Sequence, residues 1–121
     1  MSWEYDVRTK QFSLKGENRF SAMYAGADGY KDDPAFECVI NSGPLPRGTY
    51  TIGEPENNKT TGYFSLRLTP DAGNSMCGRS RFLIHGDSAS NPGKASQGCI
   101  VASIHVRKEI SKSGVKKLVV K

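Results

Sequence analysis

The sequence has no long apolar run. Phe82-Leu83-Ile84 stops at His85, and nothing approaches the ~20 apolar residues a membrane helix needs, which argues against membrane insertion. Helical periodicity is nearly absent before the C-terminal quarter, so short strands and turns dominate the reading. The N-terminus, Met1 to Asp6, lacks the basic and apolar regions of a signal peptide. Cysteine is scarce, with three residues at 38, 77 and 99. They form no CxxC, and two histidines do not complete a ligand set, so neither metal nor other cofactor is expected. The odd count leaves at least one thiol outside any intramolecular bridge. No polar low-complexity tract is present, which sets wholesale disorder aside.

What is present suits one folded domain spanning residues 1–121. Hydrophobic residues make up 36% of the 121 and charged residues 24%. Lys plus Arg is 17 and Asp plus Glu is 12, a net charge of 17 − 12 = +5 that favours an anionic partner. The densest basic group is Lys108, Lys112, Lys116, Lys117 and Lys121. It carries no interleaved aromatics for stacking bases, so nucleic acid is not the expected partner. An acidic polymer such as a cell wall fits the same charge.

Alternation of large apolar and polar residues predicts strands at 3–7 and 11–14, joined by the turn Arg8-Thr9-Lys10. Further strands are expected at 19–24, in the β-favouring run Phe36 to Ile40, and at 49–52, 63–69 and 81–85. Residues 54–62 read as a polar loop. Ile104 to Lys112 is the one helix candidate, with Ser103 as N-cap and Gly114 beyond its end. Residues 115–120 return as a last strand. The fold class is therefore mostly β, a single domain with one short C-terminal helix.

The chemistry lies in two segments, Ile84-His85-Gly86-Asp87 and Ser96-Gln97-Gly98-Cys99-Ile100. A strand delivers His85 to a loop mouth, a small polar loop follows, and a strand restarts near Cys99. A free thiol is only a few per cent ionised at neutral pH, so a nucleophilic cysteine needs a base. A nearby histidine takes that proton and later returns it to the leaving amine. The N–H groups of Gln97, Gly98 and Cys99 could then form an oxyanion hole, with Gly98 allowing close approach. The Gly86 carbonyl is an adequate orienter for His85, with Asp87 a weaker candidate.

These residues resemble the L,D-transpeptidase motif, a His, a spacer, then [Ser/Thr]-His-Gly-Cys. The upstream string Gly43-Pro44-Leu45-Pro46-Arg47-Gly48-Thr49-Tyr50-Thr51-Ile52 resembles that family's T-P-x-G-x-F/Y-x-I segment, and the order agrees. With its Ser-Gln-Gly-Cys variant, the chain looks more closely like the antibacterial type VI secretion effectors related to L,D-transpeptidases. The resemblance implies an L,D-transpeptidase-like β-sandwich in which Cys99 is the nucleophile and His85 the base. It implies cleavage of peptidoglycan stem peptides after meso-diaminopimelate, as an L,D-carboxypeptidase or by exchange of D-Ala for another D-amino acid. It implies export by a secretion apparatus, action in the periplasm of a target bacterium, and a cognate periplasmic immunity protein. Gln97 stands where the broader family has a second His, and Val101 where it often has Arg. Both departures favour hydrolysis or exchange over cross-linking.

Other readings stay open on the residues alone. The domain could grip peptidoglycan without acting on it. A cysteine protease is a third reading, but the common ones separate His and Cys far more widely in sequence. Cys38 and Cys77 are either core thiols or a bridge suited to an oxidising compartment. Arg79 and Arg81 are either a solvated strand edge or a clamp for a substrate carboxylate, with Ser96 beside them as a further binding candidate. Tyr24, Tyr30 and Tyr63 either line the cleft or pack the sheet. His105 is read as a solvent-facing bystander and the C-terminal lysines as a solubilising face.

Overall fold

The computed structural model describes residues 1–94 and 96–121. Nine strands and one helix follow in the order β1 (Trp3–Asp6), β2 (Gln11–Leu14), β3 (Glu17–Ser21), β4 (Tyr24–Ala25), β5 (Gly48–Asn58), β6 (Gly62–Pro70), β7 (Phe82–His85), β8 (Ile100–Val101), α1 (Ile104–Lys112) and β9 (Lys117–Val120). They hydrogen-bond as one sheet in the order β3-β2-β1-β9-β5-β6-β7-β8-β4. The class is mostly β with a single helix, as the residue pattern predicts.

The sheet's two outermost strands are neighbours in sequence. Ser21 ends β3 at one edge and Tyr24 begins β4 at the other. Three residue steps span at most about 11 Å, so the two edges must lie close together. The hydrogen bonds at the crossing agree. The Ala22 N–H reaches Lys10 on one wing, and the Met23 N–H reaches Val101 on the other. The sheet therefore folds back on itself, and its two wings supply the two layers of a sandwich. One apolar cluster fills the interior, including Trp3, Tyr5, Phe12, Tyr50, Leu66, Phe82, Ile84, Ile100 and Leu118.

The alternation in β1 and β2 is read correctly, with Trp3, Tyr5, Phe12 and Leu14 buried. Helix α1 keeps its predicted bounds. The Ser103 side chain accepts from the Val106 N–H, which satisfies one orphan donor of the first turn. Three expectations are corrected. Residues 19–24 are not one strand, because β3 ends at Ser21 and β4 begins at Tyr24 on the opposite edge of the sheet, with Ala22 and Met23 crossing between them. Phe36 to Ile40 is not a strand. Asp33 caps a 3-10 turn at Pro34–Phe36, and the N–H groups of Glu37, Val39 and Gly43 bond to nearby carbonyls. Local bonds thus consume the donors that a ladder would have needed. The polar stretch 54–62 is not all loop, because β5 runs to Asn58. Its ladder with β6 shifts register between Ile52 and Pro55, which accommodates a proline that cannot donate. The true turn is tighter, with Asn58 Oδ1 accepting from the N–H groups of Thr60 and Thr61.

The site is set by β7 and β8. They pair in parallel, Ile84 with Ile100 and His85 with Val101, and the Ala102 N–H bonds the His85 carbonyl at 2.9 Å. Cys99 immediately precedes β8, so this register lays it beside Leu83. Leu83 and His85 share one face of β7, because strand side chains alternate.

Candidate active site

A cavity of about 820 Å³ opens on that face, and Leu83, His85 and Cys99 all line it. His85 is buried, and its Nδ1 lies 2.7 Å from the Gly86 carbonyl oxygen. A carbonyl only accepts, so Nδ1 carries the proton. In the neutral ring Nε2 is then an unprotonated acceptor. Burial holds His85 below its ordinary value of 6.5; the Gly86 bond opposes this, and the charge of Arg107 reinforces it.

Cys99 is partly buried, and its Sγ lies 3.6 Å from the Arg81 carbonyl. Burial pushes its thiol above the ordinary 9.0. The Leu83 N–H and the charges of Arg79 and Arg67 pull the other way without prevailing. Both shifts favour the neutral forms, a thiol and an unprotonated imidazole.

Ser96 ties the segment around Cys99 together. Its Oγ accepts from the N–H groups of Gly26 and Gly98, each at 3.0 Å, and donates to the Cys99 carbonyl at 2.7 Å. The expectation for Gly98 is corrected here, because its N–H is spent on Ser96 and is not aimed at substrate. The glycine is required for another reason. Its φ is +137°, and an added Cβ would stand 2.2 Å from Nη2 of Arg79. Gly86 is likewise a notch, where a Cβ would meet Nη2 of Arg107 at 2.7 Å. The glycines that follow His85 and precede Cys99 both make room for a guanidinium.

Residues 19–120 match the Tlde1 domain family. The chain belongs to that family of L,D-transpeptidase-like type VI effectors. Among solved structures, this Tlde1 domain is similar to Bdellovibrio bacteriovorus Bd1075, with a TM-score of 0.61 and 16% identity over 99% of this chain and 47% of that one. An L,D-transpeptidase from Mycobacterium smegmatis is also similar, with a TM-score of 0.48 and 19% identity over 98% of this chain and 57% of that one. The chain spans about half the length of these two structures. No curated protein matches it.

In the Tlde1 domain, Arg79 is not available as a substrate clamp. Its Nη1 donates to the carbonyls of Glu37 and Pro44, and its Nη2 to those of Gly43 and Gln97. It staples the 37–44 loop to the Gln97 segment. Two residues away, Cys77 is joined to Cys38 by a disulfide across a Cα separation of 5.3 Å. Arg81 also lines the cavity, and its side chain is exposed. Gln97 lines it beside Cys99. The three tyrosines do not line it. Tyr24 donates to Asp87, Tyr30 packs edge-on against Phe36, and Tyr63 lies beside Phe64. Asp87 does not orient His85, because its carboxylate accepts from Tyr24, Ser88 and Gly93 and so ties down the 88–93 loop. His105 is exposed, with an edge contact to Phe20. Lys116, Lys117 and Lys121 each hold an acidic neighbour, so these C-terminal lysines are spread along paired strand edges.

Sequence reasoning missed Arg107. Helix α1 buries it, and its guanidinium donates to the carbonyls of Ala102 and Tyr63 behind the His85 loop. Its place on the face shared with Val106 and Ile110 was the available signal. Arg67 and Lys94, which also line the cavity, were missed because each looks like an ordinary surface cation. Among the described residues, no group of three or more His, Cys, Asp or Glu is placed to hold a metal. No helix is long and apolar enough to cross a membrane.

Proposed function

We propose that this Tlde1 domain is a cysteine-dependent enzyme that cuts peptidoglycan stem tetrapeptides at the meso-diaminopimelate–D-Ala bond. The observation that carries the reading is the shared cavity. Cys99 and His85 approach it from adjacent parallel strands, and the imidazole tautomer leaves Nε2 free to accept a proton. Membership in an L,D-transpeptidase-like effector family supports a cell-wall substrate.

In the proposed reaction, Sγ of Cys99 attacks the amide carbonyl carbon, and His85 Nε2 takes the thiol proton. The oxyanion is held by the N–H groups of Cys99 and Gln97, since that of Gly98 is engaged. The C–N bond breaks as His85 returns the proton to the D-Ala amine, which leaves a thioester. Water then gives the tripeptide, as in an L,D-carboxypeptidase. The amine of another D-amino acid gives exchange, as in an L,D-transpeptidase. Either outcome removes the tetrapeptide donors that new wall requires, so the protein acts as an antibacterial toxin. It leaves the producer through a secretion apparatus and works in the target's periplasm, and a periplasmic immunity protein protects the producer's kin.

Mass spectrometry of muropeptides tests this. Sacculi incubated with the wild type should lose tetrapeptide and gain tripeptide, or take up an added D-amino acid. Cys99→Ala should do neither. Equal profiles from both proteins under reducing conditions, with retention on sacculi, would instead make the domain a binding module.

A further inference from the structure

We propose that Arg81 reads a carboxylate on the acyl side of the scissile bond, and so restricts the enzyme to peptides whose donor residue carries a free side-chain carboxylate. The inference rests on the roles assigned above to Cys99 and His85 and concerns the same cavity.

The charges around the cavity are of one sign. Arg67, Arg79, Arg81 and Lys94 line it, and no carboxylate does among the described residues. Such a wall attracts an anionic ligand. Three of the four cations are already committed. Arg79 is spent on backbone carbonyls, Arg67 Nε holds Glu56 at 3.1 Å, and Lys94 Nζ holds Asp28. The Arg81 guanidinium is exposed and has no partner among the described residues. Its planar fork is suited to a carboxylate.

The backbone singles out the same residue. Arg81 sits at φ +66°, a left-handed conformation that a long side chain adopts at a cost. Strain of this kind persists where the surroundings enforce it, often at functional sites. Here the turn brings the Arg81 carbonyl to Cys99 Sγ while its side chain stays at the cavity wall.

Position decides which carboxylate is read. The thiol lies between the Arg81 carbonyl and the Leu83 N–H, and His85 is two residues further along β7. His85 must protonate the departing amine, so the leaving D-Ala occupies the His85 side. Arg81 lies on the opposite side of the thiol, where the acyl-donating residue must sit. The carboxylate nearest the scissile bond on that side is the side-chain carboxylate of diaminopimelate, which belongs to the donor residue itself, and not the C-terminal carboxylate that departs with D-Ala.

Synthetic tetrapeptides test this in three forms: unmodified, amidated at the diaminopimelate side-chain carboxylate, and amidated at the C-terminus. Arg81→Ala should raise KM for the unmodified peptide about 10- to 100-fold, the range for one charge-assisted contact, with kcat nearly unchanged. The side-chain amide should impose the same loss on the wild type and no further loss on Arg81→Ala. Arg81→Lys should recover part of the affinity. Arg81→Gly, which suits the positive φ, should fold at least as well as the wild type and show the full KM defect. Equal KM for wild type and Arg81→Ala would overturn the proposal. So would a loss that follows the C-terminal amide and not the side-chain amide. Calorimetric binding to Cys99→Ala and to Cys99→Ala/Arg81→Ala separates the two readings if the wild type turns nothing over. Arg81-dependent binding of the unmodified peptide would then uphold the carboxylate site without the chemistry, and Arg81-independent or absent binding would overturn the site.

Discussion

Arg79 occupies the space that a side chain on Gly98 would need, with Nη2 only 2.2 Å from where a Cβ would stand. The residue before Cys99 is therefore bare so that a guanidinium can pass behind it. That guanidinium binds the Gln97 carbonyl on one side and the carbonyls of Glu37, Gly43 and Pro44 on the other. Gly98→Ala should cost about 1–3 kcal/mol through overpacking and a strained φ, and should sharply lower turnover. Arg79→Ala should cost about 2–3 kcal/mol by leaving carbonyls unpaired. In the Arg79→Ala background the Gly98→Ala penalty should shrink, because the clash is gone. Denaturant titration of the four proteins gives the coupling, and strictly additive costs would rule it out.

In the proposed reaction Ser96 positions Cys99. One hydroxyl serves two N–H groups and the Cys99 carbonyl. Ser96→Ala strands all three at a buried position, so a loss of about 2–3 kcal/mol is expected. Turnover should fall further than the folded fraction does, because the Gly98-Cys99 peptide loses its anchor. Activity per folded molecule equal to that of the wild type would show that Ser96 only stabilises the fold.

His85 and Cys99 should respond to pH in opposite directions. Folded His85 lies below 6.5, so the unfolded chain takes up this proton at a higher pH than the folded chain does. The stability contributed by neutral His85 is full above about pH 6.5 and is lost as pH falls through the lower folded value. The acid limb of kcat/KM should accordingly fall below pH 6.5. Cys99 lies above 9.0, so its alkylation by iodoacetamide should be slow at pH 7 and still rising at pH 9. Rapid alkylation that persists at pH 6 would mean a thiolate–imidazolium pair instead.

The Cys38–Cys77 bridge closes a loop across a sequence separation of 39 and ends two residues before Arg79. Replacing both cysteines with serine should cost about 2–4 kcal/mol, mainly by freeing the unfolded chain. Non-reducing peptide mapping of protein folded under oxidising conditions should recover the linked peptides, and reductant should lower Tm. Alkylation of Cys38 and Cys77 as readily as Cys99 in that material would contradict the pairing.

Local pattern was enough for several elements. Two-residue alternation placed β1 and β2, and the serine cap with the lysine-rich last turn placed α1 at its bounds. The run at 36–40 misled because β propensity is weak beside the local capping by Asp33 and Pro34. The stretch 54–62 misled because its polar residues form a strand only when β6 is there to pair with them. At the site, the sequence pointed to Cys99, His85 and the Gly86 carbonyl. It did not show that the Gly98 N–H is taken, or that Arg79 and Arg107 fill the spaces left by two glycines.

The sequence by itself determined the mostly-β class, the one helix and the family likeness, and it singled out Cys99 and His85 as the candidate pair. Each of these rests on residues close together in the chain, or on a motif whose order carries the meaning. Tertiary structure alone decided that the two edges of one sheet meet, that β7 and β8 run parallel, and which arginines are already bound. Those outcomes depend on partners far apart in the chain, as in the bond from the Met23 N–H to the Val101 carbonyl, 101 − 23 = 78 positions away, and that from Arg107 to the Tyr63 carbonyl. A guanidinium reads the same in the sequence whether it holds backbone carbonyls, as Arg79 does, or has no partner among the described residues, as at Arg81, because only folding determines which acceptors lie within its reach.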